Sequence, residues 1–158
     1  MKSTHFNDKG DAHMVDVSDK DITVRQAIAS GSISMNKKTF DMINNKEVKK
    51  GDVLQVARLA GIMAAKKTGE LIPLCHPLSL SSIEIEFKPI KSKKEIVAKA
   101  TILARDRTGV EMEAITAVSI ALATIYDMCK SVDRGMVIKE IKLLRKSGGK
   151  SGLWERKK

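Results

Sequence analysis

Two stretches near the middle of the chain alternate apolar and polar residues with a period of two, one directly after the other. Ser82-Ile83-Glu84-Ile85-Glu86-Phe87 alternates strictly, and Ile96, Ala98, Ala100 and Ile102 alternate with Val97, Lys99 and Thr101. Successive side chains of an extended chain point to opposite faces, so each stretch is expected to be a strand with one apolar face. Between them Lys88-Pro89-Ile90-Lys91-Ser92-Lys93-Lys94 reads as a basic loop, which makes the unit a hairpin.

The flanks supply helices and further strands. Asp52, with Gln55 three residues later, resembles a capping box, and Val53, Val56, Ala57, Ala60 and Ala64 follow at helical spacing. The spacing predicts a helix over Asp52 to Lys67. Thr108-Gly109-Val110-Glu111 reads as a second capping box. It opens a long helix, to about Lys130, that carries Ile115, Val118, Leu122 and Ile125 on one side. Ile22 to Ile28 alternates as a strand with Ile22, Val24 and Ile28 on the apolar face and Thr23, Arg25 and Ala27 turned away. Met136 to Leu144 alternates as a last strand, followed by the glycine-rich loop Lys146 to Gly152.

The order strand, helix, strand, strand, helix, strand is the βαββαβ arrangement of ferredoxin-like α+β folds, an antiparallel sheet covered by two main helices. At 158 residues one domain is expected: a flexible N-terminus over 1–12, a single catalytic domain over 13–152 and a C-terminal tail over 153–158. No internal repeat and no linker interrupts it.

Twenty-nine Lys and Arg against 19 Asp and Glu leave a net charge of +10, which calls for a polyanionic partner. Nucleic-acid binders add aromatic stacking platforms to basic surface, yet the aromatics here are only Phe6, Phe40, Phe87, Tyr126 and Trp154. A phosphorylated small molecule is therefore favoured over nucleic acid. The longest uncharged run, Ala114 to Tyr126, falls short of the roughly 20 residues that span a bilayer, so no membrane is expected. Met1 to His5 lack the apolar run of a secretory signal. Cys75 and Cys129 form neither a CxxC pair nor a disulfide framework, which points to the cytoplasm and away from a structural zinc.

Five places could carry chemistry. Pro73 and Pro77 hold Ile72 and His76 extended, so Leu71 to Pro77 is a stiff loop that presents a histidine able to donate or accept a proton near neutrality. Cys75 and His76, adjacent in an extended chain, point apart, and Cys75 reads as a wall residue rather than a nucleophile. Asp127 lies in the last turn of its helix, where the macrodipole disfavours a carboxylate by about 0.3–1 kcal/mol. Lys130, three residues on, can offset that cost as an ion pair or share an acid–base role with it. Glu111 is explained by its capping box, whereas Glu113 is not. Fourteen residues separate Glu113 from Asp127, roughly 21 Å of helix rise, so if both serve one site then two subunits build it. Lys49 and Lys50 precede a helix N-terminus that would welcome an anion, and Lys146 and Lys150 with their glycines resemble a phosphate cradle, although Leu144 stands where a Walker A loop needs glycine. Solvated charges and a flexible basic tail are the plainer readings of both.

Taken together, His13 to Ser18, Lys50 to Val53, Ala60-Gly61-Ile62, Leu71 to Pro77, Thr108 to Ala114, Tyr126 to Lys130 and Lys146 to Gly152 closely resemble the molybdenum cofactor biosynthesis protein C family, the cyclic pyranopterin monophosphate synthases. The match runs from about His13 to Gly152. It implies a phosphorus–oxygen lyase that rearranges a cyclised dihydro form of GTP into cyclic pyranopterin monophosphate with loss of pyrophosphate. It also implies a ferredoxin-like fold and a homohexamer, a trimer of dimers with sites at subunit interfaces. By resemblance Asp127 and Lys130 are the central acid–base residues. Leu74, Cys75, His76, Met112 and Glu113 contact substrate, and Arg25, Lys50, Lys146 and Lys150 surround the triphosphate. No resident cofactor or protein-held metal is expected, a divalent cation travelling with the triphosphate aside.

Overall fold

The hairpin is where the alternation places it. In the computed structural model, which describes residues 5–7, 9–49 and 51–157, β2 (Leu80–Ile90) and β3 (Glu95–Asp106) pair antiparallel from Leu80 opposite Ala104 to Ile90 opposite Glu95. The turn is tighter than the expected loop. A single 3₁₀ turn, Lys91–Lys93, is closed by Lys94 in the left-handed region at φ 50°, so most of the basic segment belongs to the strands.

Strand β1 (Thr23–Ser34) runs antiparallel beside β3, and β4 (Val137–Ser147) lies on the other side of β1. A bulge interrupts the second pairing: Ser30 and Ser32 face Lys142 and Lys139, and Glu140 between them has φ 56°. Two residues of the expected tail form β5 (Trp154–Glu155) against Arg145 and Lys146. The sheet order β2-β3-β1-β4-β5 contains the four-strand antiparallel order of a ferredoxin-like α+β fold, with one short strand added at its edge.

Both main helices form as expected, with different ends. Asp52 caps α2 (Val53–Lys66) by accepting from the Gln55 N–H at 3.3 Å, while the Gln55 side chain turns to Arg58 instead of closing the box. The second capping box does not form. Helix α4 (Glu111–Cys129) starts after Val110 with no side-chain cap, so Thr108 and Gly109 remain loop. Two short helices escaped the sequence pattern. Lys37–Asn44 is α1, capped by the Asn36 side chain at Thr39 N–H, and Thr68–Leu71 is α3.

The face assigned to β1 is inverted. Ile22 and Val24 are more than half exposed, whereas Arg25, Ala27, Ala29, Gly31 and Ile33 are buried. The inner face is made of small residues because α4 lies close above it. A Cβ on Gly31 would stand 3.0 Å from both Val118 and Leu122 side chains. Ala98, Ala100 and Ala104 of β3 and Ala114, Ala117 and Ala121 of α4 are likewise fully or almost fully buried. By length and composition α4 alone among the described residues could cross a membrane, but its Ala117, Val118, Leu122 and Ile125 lie in this core.

Helix α2 packs on α4 through Gly61, where an added Cβ would lie 2.9 Å from the Ala117 carbonyl oxygen. Ala is worth about 1 kcal/mol more than Gly inside a helix, but overpacking against backbone costs roughly 1–3 kcal/mol. Gly61→Ala is therefore expected to lower stability by about 1 kcal/mol in urea unfolding, a net of those two terms. A midpoint equal to or above that of the unaltered protein would show that the two helices are free to move apart.

Candidate active site

The stiff loop is folded as its prolines require. Helix α3 ends at Leu71, Ile72 is extended, and Cys75 N–H closes a turn on the Ile72 carbonyl at 3.0 Å. Gly69 packs against Pro77, close enough that a Cβ would stand 3.2 Å from its Cα. The loop thereby lies against the N-terminal turn of α4.

Leu74, Cys75, His76, Met112 and Glu113 come together there, lining a cleft of about 390 Å³. The segment before β1 supplies the facing wall with His5, Val15, Val17 and Lys20. Glu113 is only 3% exposed and close enough to Cys75 for its charge to be felt. Burial lifts its carboxyl to about 7, against a hydrogen bond from its own backbone and with a smaller push from Glu111. Desolvation, and secondarily Glu113, push the Cys75 thiol up, so Cys75 is a neutral wall and no thiolate nucleophile.

A second cleft, of about 470 Å³, opens beside the first and shares Lys20, Thr108, Gly109 and Glu111 with it. Arg25, Lys146 and Lys150 line this cleft together, joined by Lys20 and Arg107. Among the described residues lining the cleft, the acids beside these five cations are Asp21 and Glu111. Arg25 is 8% exposed and donates to the Asp106 and Arg107 carbonyls at 3.1 and 3.0 Å, which ties β1 to the end of β3. Its inward direction corrects the reading that turned it away from the core. Gly148 and Gly149, at φ 99° and 69°, fold directly over it. A side chain at either would collide with the Val24 carbonyl or the Arg25 guanidinium.

Two buried polar atoms at this cleft, Thr23 Oγ1 and Arg107 Nε, have no hydrogen-bond partner among the described residues. Lys146 is 3.9 Å from Glu111 and also reaches Ser151. The uncapped first turn of α4 opens at the junction of the clefts, so the cationic cleft suits a bound anion.

Asp127 and Lys130 are elsewhere. They pair at 2.7 Å at the far end of α4, with side chains 63% and 53% exposed. The Asp127 carboxylate raises the Lys130 ammonium above its ordinary value through their hydrogen bond and charge. Lys50 lies outside the described residues. Lys20 and Arg107 do not stand out in the sequence because each sits in a mixed-charge run, Asp19-Lys20-Asp21 and Arg105-Asp106-Arg107, that reads as solvated surface. Glu111, whose spacing reads as a cap, instead stands between the clefts. Among the described residues no three His, Cys, Asp or Glu side chains cluster as a metal site.

A model described as the MoaC family matches residues 14–149. A relative from a Thermoanaerobacter species is 55% identical over 156 residues, covering 99% of both chains. Relatives from Pelotomaculum thermopropionicum and Rhodospirillum rubrum are 53% and 55% identical over 154 and 151 residues. They cover 98% and 96% of this chain and 91% of their own lengths. All three bear the name cyclic pyranopterin monophosphate synthase.

The raised Glu113 carboxyl predicts a pH dependence of stability. Below about pH 4.5 it is protonated in both folded and unfolded chains. From there to about 7 the unfolded chain ionises first, so burial of Glu113 costs progressively more, reaching about 3 kcal/mol. Glu113→Gln should thus match the unaltered protein in denaturant unfolding at low pH and exceed it by up to about that amount at pH 8. Parallel stability curves across that range would mean the carboxyl is ionised in the folded state.

Proposed function

The chain belongs to the MoaC family and acts as a lyase of molybdenum cofactor biosynthesis, and we propose how its clefts perform the cyclic pyranopterin monophosphate synthase reaction. The substrate in this reading is a cyclised dihydro form of GTP, and pyrophosphate is the leaving group. The observation that carries the reading is the abutment of the two clefts. One is walled by Leu74, Cys75, Met112 and Glu113 and fits a purine-derived ring system, and the other gathers five cations one step away for a triphosphate.

The chemistry required is ring opening and reclosure with proton transfers, then closure of a cyclic phosphate. A carboxyl near 7 can hold or release a proton at neutral pH, which suits Glu113 to the first part beside His76. Arg25, Lys20, Arg107, Lys146 and Lys150 neutralise the charge that grows on the displaced pyrophosphate, and Lys50 joins them in this reading. Asp127 and Lys130 act as the acid–base pair, delivered by a neighbouring subunit to the clefts of this one. Nothing in these steps calls for a resident cofactor.

The assembly in this reading is the homohexamer, a trimer of dimers, that the family resemblance implies. The exposed apolar stripe Val56, Leu59 and Met63 on α2 supports burial against another copy. A cytoplasmic setting agrees with Cys75 and Cys129, neither of which is in a disulfide among the described residues, and neither nucleic acid nor membrane enters the reading.

Incubation with the cyclised GTP derivative is expected to release pyrophosphate and cyclic pyranopterin monophosphate; no product from authentic substrate overturns the activity. Asp127→Asn should lose about 10²- to 10⁴-fold in kcat with its fold intact. Lys20→Ala and Arg107→Ala should lower kcat as well as raise KM, because both groups hold the triphosphate and stabilise the charge that grows on the leaving pyrophosphate. Mixing inactive Glu113→Gln and Asp127→Asn subunits should restore about a quarter of the activity by random pairing, since some interfaces then hold both intact residues. Mixed assemblies as dead as their parents would place both groups in one subunit's site.

A further inference from the structure

His76 reaches back 61 positions along the chain to a backbone carbonyl, its Nε2 standing 2.8 Å from the Val15 oxygen. A carbonyl oxygen only accepts, so in the neutral ring the single imidazole hydrogen sits on Nε2 and Nδ1 keeps its lone pair. Nδ1 has no hydrogen bond among the described residues, and the ring lines the apolar cleft.

The segment that offers this carbonyl is held by a turn of its own. Asp16 Oδ1 accepts from the Ser18 N–H at 2.8 Å and from the Ser18 hydroxyl at 2.5 Å, and the Lys20 N–H closes on the Val17 carbonyl at 3.0 Å. Those bonds from Ser18 hold the Asp16 carboxyl below its ordinary range, with His76 a lesser influence. Val15 and Val17 form cleft wall, and Lys20 stands at the junction with the cationic cleft. One short strap thus touches the histidine, the apolar wall and the anion site.

We propose that the strap from Val15 to Ser18 is a positioning element that fixes His76 as the Nε2–H tautomer, and that Asp16 acts in it as the acceptor that shapes the turn. Nδ1 is then the ring's proton acceptor within the cleft. Asp16 contributes through the direction in which the Val15 carbonyl points, and its charge is secondary. The functional weight of this proposal rests on the cleft being the substrate site, whereas the tautomer belongs to the free protein.

The test is a long-range proton–nitrogen correlation spectrum of the full chain labelled in histidine with ¹⁵N. It is recorded at about pH 8.5, where a histidine ring is neutral. His76 is assigned by the loss of its signals in His76→Gln. The unaltered protein should show a protonated Nε2 and a bare Nδ1. Asp16→Ala should yield mixed tautomers and a kcat lower by an order of magnitude or more, with KM within about twofold, as when a functional histidine loses the group that orients it. Asp16→Asn, whose amide oxygen can accept both Ser18 hydrogen bonds, should keep the tautomer and most of the rate. Because Asp16 is exposed, Asp16→Ala should retain the thermal midpoint.

An Nδ1–H tautomer in the unaltered protein overturns the proposal. So does a tautomer indifferent to Asp16→Ala, or an Asp16→Asn protein as impaired as Asp16→Ala. An Asp16-dependent Nε2–H tautomer in a protein that turns over no substrate would uphold the strap and sink the assigned reaction, so the two failures are distinguishable.

Discussion

The contact between α4 and the sheet governs the rest of the molecule. Helices and sheets usually approach each other through large interdigitating side chains, but here Ala27, Ala29, Gly31, Ala98 and Ala100 floor the contact and α4 answers with Ala114, Ala117 and Ala121. Close seating along the strands makes α4 a rigid rod whose ends are fixed relative to β1 and β3. Its N-terminal turn is thereby set beside the end of β3, where Arg25 anchors Asp106 and Arg107, and beside the β4 loop that carries Lys146 to Lys150. The position of the clefts follows from that seating.

The clefts carry a cost that the core sustains. Glu113 is buried with its carboxyl lifted towards neutrality, and five cations crowd a cleft held apart by little more than Glu111 and Asp21. Each arrangement is unfavourable in itself, and a ligand of the proposed class would offset both, with anionic oxygens in one cleft and hydrogen-bonding ring atoms in the other. Strain of this kind is sustained where the surrounding scaffold is over-determined, and the tight α4 contact supplies that scaffold.

Alternation made the hairpin legible because both its strands place large or small apolar residues on one face without exception. The same rule inverted β1, because it weighs Ile22 and Val24 above Ala27 and Ala29, while close helix approach selects for smallness. The Asp52 cap was legible as a local hydrogen bond, and Thr108 looked identical on paper. Its chain instead stays open for two more residues and leaves the α4 amides uncapped at the clefts. The cations divided similarly. Lys146 and Lys150 stand out beside glycines, whereas Lys20 and Arg107 sit among acids in sequence and leave them only in space. Loop 71–77 was legible since two prolines fix its backbone, but its tie to Val15 spans 61 positions and no local pattern encodes it.

The same rigidity bears on the proposed role of the far end of α4. Helix α4 holds Glu113 in its first turn and Asp127 in its last, about 21 Å apart by helical rise, with the helix packed along most of its length. No side-chain motion spans that distance, and bending α4 would open the alanine contact that seats it. The Asp127–Lys130 pair is therefore built to face outward, more than half exposed at the helix end, where the macrodipole makes the carboxylate costly and its lysine partner offsets the cost. In the proposed reaction a pair so placed would meet substrate in the clefts of another copy of the chain. In the proposed assembly the rod that positions one subunit's clefts would also offer its other end to a neighbour, tying catalysis to assembly by the length of a single helix.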